Sequence, residues 1–304
     1  MKTPNEKMQI QEYDAKQESY LRKSNQINQL ISISSIQLHN NIKEIEKTRT
    51  NNQKSQYFNQ NLIEVNLKQK QMFGGSNKYK VEKKGEDIYL IPKGQHTHTL
   101  VWMHGLGDSA EGYLDFFGES SSPTPDNMKV VLLTAPARKV TINMGMQMPS
   151  WFDFKAFQFN EQTFHQAIGV DEANQSAQRI HQVLNEEIAK LKGDSKKVFL
   201  GGFSQGGCMT LRAGLTFDKP LGGLLVYSGF LFPTIVDHEN NKNTEILISH
   251  GEQDPLLPWA QSKQSYTKLN EQTHKVRWEI IKNLQHTFNE RSLIVFSEFL
   301  KAHL

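Results

Sequence analysis

The chain has 304 residues and a formal net charge of +3. The first 80 residues hold 13 Lys and Arg against 7 Asp and Glu, so the remaining 224 residues are slightly acidic and are not expected to bind nucleic acid. The single cysteine, Cys208, excludes an internal disulfide and favours a reducing compartment. No apolar run approaches the roughly 18 residues of a membrane-spanning helix. We therefore expect a cytoplasmic protein without a transmembrane segment.

The N-terminal segment differs in composition from the rest of the chain. The first 80 residues contain 22 Asn and Gln, and neither glycine nor tryptophan occurs before residue 74. A weak apolar stripe runs through Ile31, Leu38, Ile42 and Ile45. Two interpretations remain open: a disordered tail, or a helix that docks on a partner, on a larger assembly or on the chain's own domain. We expect an extension over residues 1–78 and one domain over residues 79–304.

Beyond residue 78, short apolar runs alternate with amphipathic stretches. Strands are predicted at residues 88–91, 99–103, 130–134, 198–200, 224–227, 246–249 and 276–281. Helices are predicted at residues 171–192, 205–217, 259–270 and 289–302. This alternation predicts an α/β fold, with a mostly parallel sheet covered by helices on both faces. Functional residues are then expected just beyond the carboxyl ends of the strands.

The segment GGFSQGG, residues 201–207, places one serine between two pairs of glycines. It follows the fourth predicted strand and opens the second predicted helix, which is the layout of a G-x-S-x-G turn that projects a nucleophilic serine. The glycines let the strand and the helix pass close to the turn, and the helix N-terminus favours developing negative charge. We therefore predict that Ser204 is a nucleophile. The alternative is a structural turn whose serine has no chemical role.

A serine hydroxyl needs a base to accept its proton and an acid to orient that base. In this fold class the acid and then the histidine follow the serine. Asp254 follows the sixth predicted strand in the segment HGEQDPLLP, whereas Asp218 and Asp237 are interpreted as turn or solvent-exposed residues. His286 lies in the short loop between the last strand and the last helix, so we predict Asp254 as the acid and His286 as the base. Three other histidines in this part of the chain fit the order of serine, acid and histidine, or the expected position after a strand, less well: His250, His274 and His303.

Acyl transfer passes through a negatively charged intermediate, which backbone N–H groups stabilise. The residue after the serine, Gln205, supplies one such N–H group. The second is predicted at Leu106 in WMHGLGD, residues 102–108, where Gly105 and Gly107 let the N–H group face the site. His104 has no second ligand at metal spacing, so neither a metal nor a cofactor is expected.

These motifs resemble those of the acyl-protein thioesterases and lysophospholipases of the carboxylesterase type, which have the α/β-hydrolase fold. The resemblance covers residues 98–302. It is carried by HGLGDS (104–109), APARKVTINMGMQMPSWFD (135–153), GGFSQGG (201–207), HGEQDPLLP (250–258) and the late His286. It implies a serine hydrolase with Ser204, Asp254 and His286 as its triad and the same two oxyanion donors.

Eight methionines and aromatic residues crowd into positions 144–159, in a segment predicted to be an irregular loop. A buried core segment would explain some of them, but the resemblance implies that this region lies beside the active site and receives an acyl chain. We therefore predict that Met148, Trp151 and Phe152 bind substrate. The expected substrates are S-acylated proteins or lysophospholipids. The alternatives are a short-chain carboxylesterase and a structural subunit held in a larger assembly by the extension.

Overall fold

The fold is built from short strands that alternate with helices. The computed structural model describes residues 78–119, 122–156, 159–271 and 274–304, so the predicted extension, apart from Lys78, lies outside the described residues. The strands in the described ranges are Tyr79–Lys84 (β1), Asp87–Pro92 (β2), His98–Met103 (β3), Met128–Leu133 (β4), Ala137–Val140 (β5), Met146–Pro149 (β6), Val198–Phe203 (β7), Gly223–Tyr227 (β8), Ile246–Gly251 (β9) and Val276–Ile281 (β10). The α-helices in the same ranges are Leu114–Gly118 (α1), Phe164–Ala167 (α2), Val170–Lys190 (α3), Gln205–Thr216 (α4), Trp259–Ser265 (α5), Thr267–Glu271 (α6) and Glu290–Ala302 (α7).

Eight of these strands form one sheet, in the order β1-β2-β4-β3-β7-β8-β9-β10. β2 runs antiparallel to both of its neighbours, β1 and β4. The other six strands, which follow one another in the order β4-β3-β7-β8-β9-β10, are parallel. Parallel strands need long crossover connections, and α-helices lie in each of the connections between them along the chain except the one from β8 to β9. The predicted mostly parallel sheet is therefore confirmed.

Side chains of the central strands alternate between two apolar clusters, one on each face of the sheet. In β3, Val101 and Met103 pack in the cluster that includes residues of α3 and α4. Their neighbours Leu100 and Trp102 pack in the cluster that includes residues of α1 and α7. Because successive residues of a strand point to opposite faces, a strand buried on both sides has a nearly continuous apolar sequence. Helices thus cover both faces, as predicted.

Several elements differ from the sequence prediction, which also lacks the short helices α1 and α2. The pattern does not predict β1, because this edge strand is charged and mostly exposed, as edge strands often are. The segment predicted to be an irregular loop contains the hairpin β5–β6, whose turn places Met144 and Gly145 at φ +56° and +73°. The single helix predicted at residues 259–270 is divided into α5 and α6 at Tyr266.

Candidate active site

Ser204 lies at the sharp turn between β7 and α4. Its backbone dihedrals, φ +56° and ψ −118°, lie in a region that non-glycine residues rarely adopt, so the fold holds this residue under local strain. A Cβ on Gly202 would lie 2.5 Å from main-chain atoms of Gly206, and a Cβ on Gly206 would lie 2.2 Å from the carbonyl oxygen of Met103. Since these neighbours are main-chain atoms, a side chain at either glycine would force the backbone to move. The two glycines are therefore a packing requirement of the turn.

Two hydrogen bonds connect Ser204 to a histidine and an aspartate. Ser204 Oγ lies 2.8 Å from His286 Nε2, and His286 Nδ1 lies 2.6 Å from Asp254 Oδ2. Because the carboxylate accepts, Nδ1 carries a hydrogen and Nε2 accepts from the serine hydroxyl. The three residues follow β7, β9 and β10, so they meet at the carboxyl ends of parallel strands, where sites of this fold class form.

Asp254 is buried, and hydrogen bonds compensate its charge. Its Oδ1 accepts from the N–H groups of Leu256 and Leu257 at 2.9 and 2.8 Å, which leaves Oδ2 for His286. Burial alone would raise the pKa of this carboxyl, but the hydrogen bonds from His286 and Leu257 outweigh burial and hold the pKa of Asp254 below its usual value. The carboxylate is therefore ionised at neutral pH and can stabilise a protonated His286.

Gln205 is the first residue of α4, directly after the serine. The first N–H groups of an α-helix have no partner within the helix, so the Gln205 N–H is free to bind an anion at the turn. The Gln205 side chain is buried and bonded to the residues that follow the hairpin β5–β6: Oε1 accepts from Trp151 N–H at 2.8 Å, and Nε2 donates to the Phe152 carbonyl at 2.7 Å. These bonds fix the start of α4 against the segment after β6.

Leu106 lies in the loop after β3, which passes directly against the serine. A Cβ on Gly105 would be 3.3 Å from the Cβ of Ser204, so the two segments are almost in contact. The loop is held at its other side by the Gly107 N–H, which donates to the Pro149 carbonyl at 2.9 Å. Leu106 therefore lies between two anchored residues and lines the same cleft as Ser204 and Gln205.

The structure does not bring the three residues predicted to bind substrate into this cleft. Trp151 and Phe152 are 0% exposed, and the Trp151 indole donates to the His104 carbonyl at 2.9 Å. Phe152 packs edge-on against Phe232 in the core. Met148 is half-buried in β6 and does not line the cleft. The prediction of substrate contact by Trp151 and Phe152 is wrong, because side chains without accessible surface cannot touch a ligand.

The cleft at Ser204 has a volume of about 260 Å³ and largely apolar walls. The side chains that form these walls are not predicted from the sequence; among them are Tyr113, Phe154, Phe203, Leu256 and Leu257. Their positions in the motifs could have indicated three of these wall residues, because Phe203 directly precedes Ser204, and Leu256 and Leu257 closely follow Asp254. An apolar cleft of this kind suits a hydrophobic ligand group.

A second His–Asp pair lies away from the serine. His274 Nε2 lies 2.6 Å from Asp237 Oδ2, and both side chains are buried. The other ring nitrogen of His274, Nδ1, is buried and has no hydrogen-bond partner among the described residues. The interpretation of Asp237 as a turn or solvent-exposed residue is therefore wrong: it joins the loop after β8 to the residues that precede β10.

His104 is a structural residue. Its Nδ1 donates to the Gly105 carbonyl at 2.6 Å, and its Nε2 accepts from the Ala135 N–H at 2.9 Å. Burial lowers the pKa of His104, so the ring is neutral. Within the described ranges, no group of three His, Cys, Asp or Glu side chains is arranged to hold a metal ion. None of the helices in these ranges is long and apolar enough to cross a membrane.

Comparison with known proteins identifies the family. A family model described as phospholipase/carboxylesterase matches residues 87–304. Acyl-protein thioesterase 1 of Gibberella zeae is 32% identical over 221 residues, which cover 69% of this chain and 92% of that protein. Acyl-protein thioesterase 1 of Schizosaccharomyces pombe is 33% identical over 183 residues, covering 59% of this chain and 78% of that protein. The crystal structure of Arabidopsis thaliana SOBER1 matches with a TM-score of 0.58 at 27% identity, covering 68% of this chain and 98% of that one. These matches confirm the resemblance seen in the motifs: the chain belongs to the phospholipase/carboxylesterase family and is a serine hydrolase.

Proposed function

We propose that this protein hydrolyses long-chain acyl thioesters and esters through an acyl-enzyme on Ser204, with S-acylated proteins or lysophospholipids as substrates. The observation that carries the proposal is the continuous hydrogen-bond chain from Ser204 Oγ through His286 to Asp254, with distances of 2.8 and 2.6 Å. The relatives named acyl-protein thioesterase support the thioester class, and the family description supports phospholipid esters.

In the first half-reaction, Ser204 Oγ attacks the acyl carbonyl carbon while His286 Nε2 takes the hydroxyl proton. The carbonyl oxygen becomes an oxyanion, which accepts hydrogen bonds from the backbone N–H groups of Leu106 and Gln205. Removing one donor of this kind typically costs about 2.7 to 4 kcal/mol of transition-state stabilisation. The intermediate collapses as the C–S or C–O bond breaks, and the leaving thiolate or alkoxide takes the proton from His286.

In the second half-reaction, water attacks the acyl-enzyme and gives its proton to His286. A second tetrahedral intermediate then collapses, Ser204 regains its proton from His286, and the fatty acid leaves. Asp254 remains ionised throughout, because its hydrogen bonds hold its pKa below the usual value. Its role is to fix the ring orientation of His286 and to stabilise the imidazolium that forms in each step.

The acyl chain is proposed to bind along the apolar walls of the cleft, at Phe154, Phe203, Leu256 and Leu257. Each buried CH₂ group of a lipid contributes about 0.8 kcal/mol, so a longer chain gains binding energy from such walls. This preference argues against the short-chain carboxylesterase that the sequence alone left open.

The proposed compartment is the cytoplasm. Cys208 lies in α4, where it is buried and free, and burial raises the pKa of its thiol. Such a thiol acts as a packed apolar side chain and is not reactive. A chain with a single cysteine of this kind is suited to a reducing compartment.

The variant Ser204→Ala tests the proposed nucleophile. We expect kcat to fall by about 10⁶ and labelling by a fluorophosphonate probe to disappear, with an unchanged melting temperature. A matched control is Ser195→Ala, because Ser195 precedes β7, at the opposite end of the same strand, and its hydroxyl donates to the Pro220 carbonyl. Near wild-type hydrolysis by Ser204→Ala would overturn the proposal. Faster turnover of short-chain esters than of long-chain thioesters would favour the carboxylesterase alternative.

A further inference from the structure

His250 lies at the end of β9, four residues before Asp254, and is not part of the hydrogen-bond chain at the serine. Its ring is buried, and its Nε2 lies 2.8 Å from the carbonyl oxygen of Leu257. A carbonyl oxygen only accepts, so Nε2 carries a hydrogen and donates it. Burial lowers the pKa of His250, and this effect exceeds the opposing effects of the bond to Leu257 and the charge of Asp254. His250 is therefore a neutral donor.

The hydrogen bond from His250 fixes the peptide that binds Asp254. Leu257 accepts from His250 through its carbonyl and donates through its N–H to Asp254 Oδ1 at 2.8 Å. Leu256 N–H donates to the same oxygen at 2.9 Å, and Asp254 N–H donates to the Gly251 carbonyl at 3.2 Å. These bonds close the loop on itself and set the direction in which both N–H groups point.

His250 also lies close to the oxygen of Asp254 that binds the catalytic histidine. Its Nε2 is 3.5 Å from Asp254 Oδ2, while His286 Nδ1 is 2.6 Å from the same atom. The positive end of the His250 N–H dipole is thus held beside the carboxylate without replacing His286. Such a dipole favours the ionised form of the carboxyl.

The other nitrogen of His250 indicates why the residue is a histidine. Nδ1 is buried without a hydrogen-bond partner among the described residues, in a ring that packs 5.4 Å from the ring of Trp259. A buried acceptor without a partner is unfavourable, so an apolar ring would fill this space at lower cost if shape were the only requirement. What the histidine adds is the donor at Nε2.

We propose that His250 is a positioning residue for hydrolysis, which acts through Asp254. This inference rests on the proposed role of Asp254 as the acid of the triad. The neutral Nε2–H of His250 holds Leu257 in place, so that Oδ1 is occupied by two backbone N–H groups and Oδ2 is presented to His286. Loss of this donor lets the carboxylate rotate or shift, and His286 loses its alignment with Ser204.

The test compares His250→Phe, which keeps an apolar ring, with His250→Gln, whose amide nitrogen can donate from a similar position. Both are assayed with a long-chain acyl thioester, and kcat is expressed per fluorophosphonate-labelled site. We expect His250→Phe to lower kcat by about 10- to 30-fold with a change in KM below about 2-fold, because a loosened catalytic geometry slows chemistry more than binding. We expect His250→Gln to stay within about 3-fold of the wild type.

A matched control is His181→Phe. His181 also donates from Nε2 to a main-chain carbonyl, that of Ala213, at 2.8 Å, but it joins α3 to α4 away from the cleft. Its kcat per labelled site should equal that of the wild type. If His250→Phe does not fold, His250→Asn replaces it, because Asn carries the same amide as Gln but is one methylene too short to reach Leu257.

A double-mutant cycle separates positioning from general stability. In an Asp254→Asn background, His250→Phe should cost less than about 2-fold, because the group it acts through is already altered. Three results would each overturn the inference: an unchanged kcat in His250→Phe, a Gln variant no better than the Phe or Asn variant, or the same fold-loss in both backgrounds. An unchanged kcat in Asp254→Asn alone would overturn the proposed acid and this inference together.

Discussion

The close packing of α4 on the end of β3 makes Gly206→Ala a severe perturbation. A Cβ at this position would lie 2.2 Å from the Met103 carbonyl oxygen, 2.6 Å from the Met103 carbonyl carbon and 2.7 Å from the His104 carbonyl oxygen. Ordinary carbon–oxygen contacts are about 3.3 Å or longer, so the helix and the strand must separate by about 1 Å. No flexible side chain is available to absorb this movement, because all three atoms are main-chain atoms.

We expect Gly206→Ala to destabilise the protein, which is opposite to the usual effect of a Gly→Ala substitution in a helix. In an exposed helix, Gly→Ala stabilises by up to about 1 kcal/mol. Overpacking a rigid site costs about 1 to 3 kcal/mol, which in a domain of this size lowers the melting temperature by roughly 3 to 10 °C. The same movement shifts the loop that contains Leu106 relative to Ser204. A displacement of about 1 Å near the reacting groups can lower kcat by about 10²-fold.

Thermal unfolding and kcat per fluorophosphonate-labelled site measure both effects. Gly94→Ala is the matched control, because a Cβ on Gly94 would meet no heavy atom within 4 Å. The control should keep the wild-type melting temperature and kcat. A Gly206→Ala variant with an unchanged or higher melting temperature and full activity would refute the view that the turn requires glycine for packing.

Two further predictions concern the second His–Asp pair and pH. Asp237→Asn should lower the melting temperature without changing kcat per labelled site, whereas Asp254→Asn should lower kcat by about 10⁴ with little change in melting temperature. Equal losses of kcat in the two variants would contradict the separate roles. The melting temperature should also fall as the pH decreases below about 6.5. Burial lowers the pKa of His104, His181 and His250 from the ordinary value of 6.5. Below this pH the unfolded chain therefore binds more protons than the folded protein, which destabilises the fold. Differential scanning fluorimetry between about pH 7.5 and 5 checks this prediction, and a constant melting temperature would contradict it.

The strands and the serine turn could be predicted because their signals are local. β3, β4, β7, β8 and β9 are buried on both faces, which gives short continuous apolar runs in the sequence. The turn at Ser204 is contained within seven residues, and Gly202 is required by its contact with main-chain atoms of Gly206, four residues later. Local sequence therefore carries most of the information for this part of the fold.

The walls of the cleft could not be predicted in the same way. Trp151 and Phe154 belong to one short apolar segment, yet Trp151 is completely enclosed while Phe154 lines the cleft. Composition marks both residues as apolar, but only the packing of the hairpin and the loops decides which one borders the cleft. The turn of the hairpin was equally hard to foresee, since it places Met144, a methionine, at a positive φ, where Asn or Gly is usual.

The buried state of Asp237 also depends on tertiary structure. Asp237 and His274 are separated by 37 positions in the chain, and each lies in a polar segment that reads as a surface loop. Their hydrogen bond forms only because β8 and β10 lie near each other in the sheet, on either side of β9. The pattern of polar and apolar residues within a single segment carries no information about such a contact.

The two His–Asp pairs give the protein an internal spectroscopic reference. In each pair one imidazole nitrogen lies 2.6 Å from a carboxylate oxygen, and in each the carboxylate is almost completely enclosed. The two pairs differ at the other ring nitrogen. In His286 this nitrogen accepts a hydrogen bond from the Ser204 hydroxyl, whereas in His274 it has no partner among the described residues. An inhibitor bound covalently to the serine should therefore shift the ring-proton resonances of His286 and leave those of His274 in place. The distance between the imidazole nitrogen and the carboxylate oxygen is the same in both pairs, but only the ring of His286 also reaches a serine hydroxyl.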